Sequence, residues 1–155
     1  MPDRRIRIPA DKAEFVDELT DTGQDAGPFM SKADVLAFAA ALGLSQSKSV
    51  PFAESAADPI RQEVFARQGY DTLINLAGVS AARDAAVLAN SEEAENQRAN
   101  AFEEFANGGL EILKEHLKGV VEGRDRMTRL VQMVSRLRAT DKGKEEPLDI
   151  DELLS

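Results

Sequence analysis

Apolar residues recur at helical spacing along most of the chain, and only its first residues alternate. Between residues 4 and 8, Ile6 and Ile8 share one face while Arg5 and Arg7 share the other, which predicts a short, half-buried strand. Every later apolar pattern has the helical period. The sequence therefore predicts a mainly α fold, in which a compact helical domain begins with one short N-terminal strand.

Helix boundary signals divide the rest of the chain. Ser31 and Asp34 form a variant of the capping box, and Gly43 is suited to end the helix that they start. Asp58 and Pro59 supply a cap and a first-turn proline for another helix. Predicted helices cover residues 11–21, 31–42, 58–69, 71–77, 81–89, 91–118 and 120–138, with Gly119 as the joint before the last one.

The long predicted helix is interrupted by two adjacent glycines. Its apolar face includes Phe102, Phe105, Ala106, Leu110, Leu113 and Leu117. Gly108 and Gly109 lie among them, although each glycine costs up to ~1 kcal/mol against alanine in a helix interior. They indicate either a helix break or a second helix packed too close for a Cβ. We therefore assign both glycines to helix packing.

Length and composition favour one domain. With 155 residues, 43% of them hydrophobic, the chain can bury one core but has little room for two. Residues 145–155 contain five acids and no base. We expect a single helical domain over residues 1–140 and an acidic, disordered tail over residues 141–155.

The sequence offers no catalytic or metal-binding pattern. The absence of cysteine excludes disulfides, thiol catalysis and cysteine-zinc sites. His116, the single histidine, has no histidine or carboxylate four residues away on either side, so no metal site is predicted. The adjacent acids Glu103 and Glu104 diverge on a helix, and we expect them to be solvated. No phosphate loop and no cofactor site are found, which favours a protein that is not an enzyme.

No segment of the sequence has the properties of a membrane anchor. The N-terminus lacks the apolar region of a signal peptide, and no apolar run approaches the ~18 residues of a membrane span. We expect a soluble, cytoplasmic protein.

Charge is distributed unevenly and leaves one basic helix. The net charge of −9 argues against a nucleic-acid-binding surface that covers the whole protein. Arg124, Arg126 and Arg129 nevertheless lie on the last predicted helix, next to the apolar stripe of Met127 and Leu130. These arginines are candidate DNA contacts, and the alternative is a solvated charged face. The acidic tail would compete with DNA for them, and a high-salt cytoplasm is a second explanation of the acidity.

The arginines near the N-terminus are the other candidate DNA contacts. A strand followed by two helices is the layout of ribbon-helix-helix proteins, in which paired strands enter the major groove. In that arrangement Arg5 and Arg7 point outward, with Arg4 beside them. The alternative is that they are solvated charges on an edge strand. Arg61 is a candidate phosphate contact or a structural residue, and its spacing to Glu63 does not suit a helical ion pair.

Four segments resemble a family of small accessory proteins from DNA phosphorothioation (dnd) defence systems. They are residues 3–9, 31–44, 60–65 and 102–117. The order of strand and helices is also loosely similar to the small modification subunit DndE. The resemblance implies a non-enzymatic accessory protein that binds DNA, or docks DNA to the modification machinery, and that forms a homo-oligomer. Because the sulfur chemistry of such systems uses cysteine persulfide, an iron–sulfur protein and ATP, this cysteine-free chain is not the sulfur-transfer enzyme.

Two alternatives stay open at the level of the sequence. The chain could be a protein–protein adaptor that joins subunits of the defence complex without touching DNA. It could also be a ribbon-helix-helix-like transcriptional regulator of the same gene cluster, if the N-terminal strand pairs with its copy in a second chain. The sequence leaves open the partner, the size of the oligomer and any preference for modified or nicked DNA.

Overall fold

The computed structural model describes residues 4–21, 27–121 and 123–144. Within these ranges the chain is mainly helical, as predicted, and its strands form one two-stranded sheet. The elements are β1 (Arg5–Ile6), α1 (Ala13–Leu19), α2 (Lys32–Ser45), β2 (Ile60–Arg61), α3 (Gln62–Arg67), α4 (Asp71–Ala82), α5 (Glu92–His116) and α6 (Gly123–Lys144). Short 3-10 helices at Ala10–Lys12 and Ala85–Leu88 precede α1 and α5.

The N-terminal strand pairs within its own chain. β1 is antiparallel to β2, with Arg5 opposite Arg61 and Ile6 opposite Ile60. Ile6 and Ile8 are buried, as the alternation predicts. In ribbon-helix-helix proteins the strand pairs with a second copy instead, so the similarity to that layout is confined to the order of strand, helix and helix.

The partner strand lies where the sequence predicts a helix to start. Ile60 and Arg61 are extended, and α3 begins only at Gln62, so the predicted boundary at Asp58 is wrong. The backbone N–H of Gln62 donates a hydrogen bond to the carbonyl of Arg4, at 2.8 Å. This long-range pairing fixes an extended conformation that the local signal of Asp58 and Pro59 does not contain.

Glycines end helices at some of the predicted positions and not at others. Gly119, with a φ of 82°, lies in the joint between α5 and α6, as predicted. α2 continues past Gly43 to Ser45, and α4 runs through Gly78 without the predicted break. A Cβ at Gly78 would lie 2.7 Å from Cγ of Arg98 on α5. Gly78 therefore serves a helix contact, because its lack of a side chain lets α5 come close.

α2 and α5 form the central contact of the fold through backbone that approaches backbone. α5 is continuous through Gly108 and Gly109. A Cβ on Gly109 would collide with the carbonyl oxygen of Ala39, and one on Gly108 with that of Lys48. On the other side, a Cβ on Gly43 would collide with the carbonyl oxygen of Phe105. Gly43 and Gly109 let the two helices approach this closely, and Gly108 admits the backbone that follows α2.

The hydrophobic core lies between α5 and the elements that cover it. Ser31 caps α2 by accepting a hydrogen bond from the backbone N–H of Asp34, at 3.2 Å, and Ser91 caps α5 in the same way. The largest fully buried side chains are Phe65, Phe102, Ile6, Leu19, Leu36, Ile74, Leu110, Leu113, Val16, Val35 and Pro9. Phe65 meets Phe102 edge to face, with ring centroids 5.3 Å apart. This core holds α5 in place as the scaffold for the polar contacts described next.

The last helix is longer than predicted. α6 continues to Lys144, six residues beyond the predicted end at Arg138. The predicted disordered tail begins within this helix, and its remaining residues 145–155 lie outside the described part of the chain.

Candidate interaction surfaces

A polar stripe on α5 binds two of the N-terminal arginines. Arg4 forms an ion pair with Glu95, at 3.4 Å, and a hydrogen bond with the Asn96 side chain. Glu103 accepts hydrogen bonds from the backbone N–H of Arg7, at 2.6 Å, and from its guanidinium, at 3.0 Å. Arg7, which was predicted to point outward, thus has its partner within the fold, while 42% of its side chain stays exposed. Glu103 is only 2% exposed, so its predicted solvation is wrong.

The environment of Arg7 stabilises its charge. The hydrogen bond to the Glu103 side chain is the main cause of a raised pKa of Arg7, with the nearby charge of Glu104 adding to it. The guanidinium also lies over the ring of Phe52, 4.9 Å from its centroid. Arg7 thus joins the N-terminal segment, α5 and the connection before β2, which is a structural task.

Lys12 is a buried lysine that the sequence analysis missed. It is 3% exposed and forms a hydrogen bond with the side-chain oxygen of Asn107. Its ammonium lies 3.6 Å from a carboxylate oxygen of Glu111. Glu103, Asn107 and Glu111 follow one another at intervals of four residues, so they form one stripe on α5. A polar residue every four positions beside an apolar face was the available signal for this stripe.

Arg5 and Arg61 stay at the surface. Both side chains are exposed, and they occupy opposite positions in the pairing of β1 with β2. Arg61 lies 3.9 Å from Glu63, an ion pair that the sequence analysis rejected for lack of helical spacing. The pair forms because Arg61 belongs to β2 and has extended backbone, with φ −61° and ψ 133°.

The three candidate arginines of α6 do not form one basic face. Arg126 donates hydrogen bonds to the carbonyls of Val120 and Glu18, at 3.1 and 3.3 Å, and to the Glu18 carboxylate, at 3.2 Å. Arg124 and Arg129 are exposed. They are five residues apart, which places them about 140° apart around the helix. Arg126 therefore ties α6 to α1, while the other two arginines point in different directions.

An apolar groove lies between α6 and the start of α2. This α6 groove has a volume of about 260 Å³ and is lined by Pro28, Phe29, Phe38, Met127, Leu130, Val131, Val134 and Ser135. Leu130 is buried and anchors the helix, whereas Val131 is 57% exposed and Val134 is 43% exposed. The rings of Phe29 and Phe38 form its other wall, with centroids 5.3 Å apart. α6 thus presents more apolar surface than the described part of the chain covers.

A second depression continues the apolar surface on the other side of Phe29 and Phe38. It has a volume of about 420 Å³ and is lined by Pro28, Phe29, Met30, Asp34, Ala37, Phe38, Ala41, Tyr70 and Leu73. Tyr70 donates a hydrogen bond to Asp34 at 2.7 Å, and this bond is the main cause that raises the pKa of Tyr70 to about 12. Met30, at 86% exposure, stands at its edge. The two depressions together make one contiguous surface.

The remaining predicted features carry no site in the described ranges. His116 is exposed in the last turn of α5. Across residues 4–21, 27–121 and 123–144, no three histidine or acidic side chains converge as a metal site would require. No helix within the same ranges combines the length and the apolar character needed to span a membrane.

The structure is that of a small, mainly helical protein with an exposed apolar surface beside Phe29 and Phe38. The chain matches the family model described as DNA sulphur modification system-associated protein 4 over residues 5–153, and it belongs to that family. It is therefore an accessory protein of a DNA sulphur modification system, as its resemblance to dnd accessory proteins predicted. Neither the curated proteins nor the solved structures include a match to the chain.

Proposed function

We propose that this chain is a non-catalytic adaptor that holds another protein of the DNA sulphur modification system against the α6 groove. The observation that supports this proposal is the contiguous apolar surface on both sides of Phe29 and Phe38. Exposed apolar surface of this kind, with polar residues around it, is typical of protein interaction sites.

The contacts of the arginines favour an adaptor over a DNA-binding protein. Arg4, Arg7 and Arg126 each form an ion pair with an acid of the same chain. Their charges are therefore balanced locally, and the net charge of −9 repels phosphate at longer range. Arg124 and Arg129, the exposed candidates on α6, lie about 140° apart around the helix and so do not share one face.

The rim of the groove indicates which partner would bind. Arg124, Val131 and Arg138 are exposed and follow one another at intervals of seven residues. Residues with this spacing stay on nearly the same line of a helix, drifting by about 20° per step. Exposed Val131 on the groove thus has one arginine a heptad before it and another a heptad after it on the same side of α6. We propose that the partner contributes an apolar segment that carries acidic residues.

Copurification with the other proteins of the system tests the adaptor. Val131→Asp places a charge in the centre of the groove, and Leu88→Asp is the matched control, because Leu88 is exposed but lies on the 3-10 helix before α5. We expect Val131→Asp to weaken the complex at least ~10-fold, which corresponds to about 1.4 kcal/mol, while Leu88→Asp leaves it unchanged. Equal retention of both variants would reject the adaptor.

Contact with DNA is a second candidate, and one observation favours it. Arg5 and Arg61 lie opposite each other on the exposed sheet. Residues directly opposite in a sheet lie on the same face, so these two exposed guanidinium groups offer a phosphate several hydrogen-bond donors. Gel shifts with modified, plain and nicked duplex at several salt concentrations test it. We expect the Arg5→Ala, Arg61→Ala double variant to bind all duplexes more weakly with a flatter salt dependence, and no shift at low salt rejects it.

We infer a homo-oligomer from the family resemblance, and light scattering of the purified chain checks it. We also infer that residues 1–140 fold as one domain. In that case the protein has a single unfolding transition, and circular dichroism and calorimetry give the same midpoint for it.

A further inference from the structure

We propose that residues 145–155 of the same chain bind the α6 groove and cover it until a partner displaces them. This inference concerns the regulation of the groove and rests on the proposed function of that groove as a docking surface. It is supported by the composition of the segment, by the charges on the rim and by the distance that the chain has to cover.

The segment has the chemistry that the groove selects. Its apolar residues are Leu148, Ile150, Leu153 and Leu154, and its acids are Glu145, Glu146, Asp149, Asp151 and Glu152. Apolar and acidic residues alternate from Leu148 to Asp151, so an extended chain shows its leucine and isoleucine on one side and its acids on the other. The apolar side fits the groove walls formed by Phe29 and Val134.

The charges on the rim complement those of the segment. Arg124 and Arg138 are exposed on the line that passes through Val131. The segment carries five acids and no base, so its net charge is opposite to that of these arginines. Attraction between exposed charges of this kind orients the segment and weakens with salt, because the Debye length falls to about 3 Å at 1 M.

The segment is long enough to return to the groove. α6 ends at Lys144, ten residues beyond Val134, which is about 15 Å along the helix. Met127, at the far end of the groove, is about 25 Å from Lys144 by the same measure. An extended chain covers about 3.3–3.6 Å per residue, so the four residues to Leu148 span about 14 Å and the nine to Leu153 about 30 Å. The apolar residues of the segment can therefore reach both ends of the groove.

Tethering favours the chain's own segment over that of a second copy. A segment joined to its site by a short link has an effective concentration in the mM range. At the µM concentrations of a dilute sample, binding within one chain therefore exceeds binding between chains. A partner with the same chemistry must compete with this tethered segment.

Disulfide trapping tests the inference, because the native chain has no cysteine. The test variant carries Val131→Cys and Ile150→Cys in the full chain. The control carries Gln132→Cys and Ile150→Cys, since Gln132 is also exposed and is equally close to the tether on α6 but does not line the groove. We expect an intramolecular disulfide in the test variant at least ~10-fold faster than in the control under mild oxidation. Adding Arg124→Glu and Arg138→Glu to the test variant should slow the formation of its disulfide.

The outcomes separate this inference from the proposed function. Equal disulfide rates in the two variants overturn the inference, as does a disulfide that joins two chains. Oxidation of the test variant should also weaken copurification with the partner ~10-fold, and reduction should restore it. If the intramolecular disulfide forms fast but Val131→Asp does not affect copurification, residues 145–155 bind the groove and the proposal that a partner protein binds there is rejected. If the disulfide rates are equal but Val131→Asp loses copurification, a partner protein binds the groove and the proposal that residues 145–155 bind there is rejected.

Discussion

The carboxylate of Glu103 accepts hydrogen bonds from both the backbone N–H and the guanidinium of Arg7, at 2.6 and 3.0 Å. A carboxylate that is 2% exposed needs such partners, because an unpaired buried charge is costly. The contact fixes the N-terminal segment against the middle of α5, the helix whose Gly109 meets the backbone of α2. An arginine that the sequence offers as a DNA contact is thereby part of the fold.

Replacement of Glu103 should destabilise the protein. Glu103→Ala leaves the backbone N–H of Arg7 without its acceptor, and we expect the free energy of unfolding to fall by about 1–3 kcal/mol. Urea unfolding followed by circular dichroism measures it. Glu115→Ala is the control on an exposed position of the same helix. If both variants unfold at the same urea concentration, the Glu103 contact does not stabilise the fold.

Gly109→Ala should also destabilise, although alanine is the better helix former. Helix propensity alone would stabilise the variant by up to ~1 kcal/mol. The added Cβ, however, meets the backbone carbonyl of Ala39, and α2 must move to make room. We expect a net loss of about 1–3 kcal/mol in the free energy of unfolding, and a larger loss for Gly109→Leu. Asn100→Ala on the exposed side of α5 is the control, and a higher melting temperature for Gly109→Ala would contradict the close approach.

Tyr70 should titrate at an unusually high pH. It is the only tyrosine and the chain has no tryptophan, so phenolate absorbance reports on this residue alone. We expect a pKa of about 12 in the folded protein, and a lower value in Asp34→Asn, since the hydrogen bond to Asp34 is the main cause of the rise. Asp71→Asn is the control on an exposed neighbour. Equal tyrosine pKa values in the wild type and in Asp34→Asn would show that this hydrogen bond is not formed.

The same shift makes stability depend on pH in the alkaline range. The pKa of Tyr70 is higher in the folded chain than the ordinary value of 10.0. Its hydrogen bond therefore stabilises the fold fully below pH 10 and loses its contribution as the pH rises through about 12. Tyr70→Phe should remove this component of the pH dependence, which urea unfolding at a series of alkaline pH values measures.

Arg126 and Arg129 should differ in what their replacement changes. Arg126→Ala removes three hydrogen bonds that join α6 to Val120 and Glu18, so we expect a lower unfolding temperature. Arg129→Ala removes an exposed side chain and should change the free energy of unfolding by no more than about ±0.5 kcal/mol, as ordinary surface substitutions do, with little change in unfolding temperature. If Arg129→Ala destabilises as much as Arg126→Ala, the assignment of separate roles is wrong.

Local signals in the sequence predicted those parts of the fold that depend on near neighbours. The alternation of Ile6 and Ile8 predicted their burial, and the cap at Ser31 predicted the start of α2. Both depend on residues a few positions away. The glycine at position 78 misled the prediction of α4, because a glycine that ends a helix and one that admits a neighbouring helix look alike in sequence.

The candidate arginines show where local reasoning stops. Arg7 and Glu103 are 96 residues apart in the chain, and Arg126 and Glu18 are 108 apart. Nothing in the spacing of either arginine points to its acid. Charge counts therefore proposed a DNA surface from residues of which four form ion pairs with acids of the same chain.

The sequence by itself determined the helical class, the buried face of the N-terminal strand and the exclusion of cysteine chemistry, because period, caps and composition act over a few residues. Only the tertiary structure decided that β1 pairs with β2, that Gly109 meets the backbone of Ala39, and that apolar residues of α6 stay exposed beside Phe29 and Phe38. Each of these depends on which distant segments meet, and that choice is made by the packing of the whole core around α5.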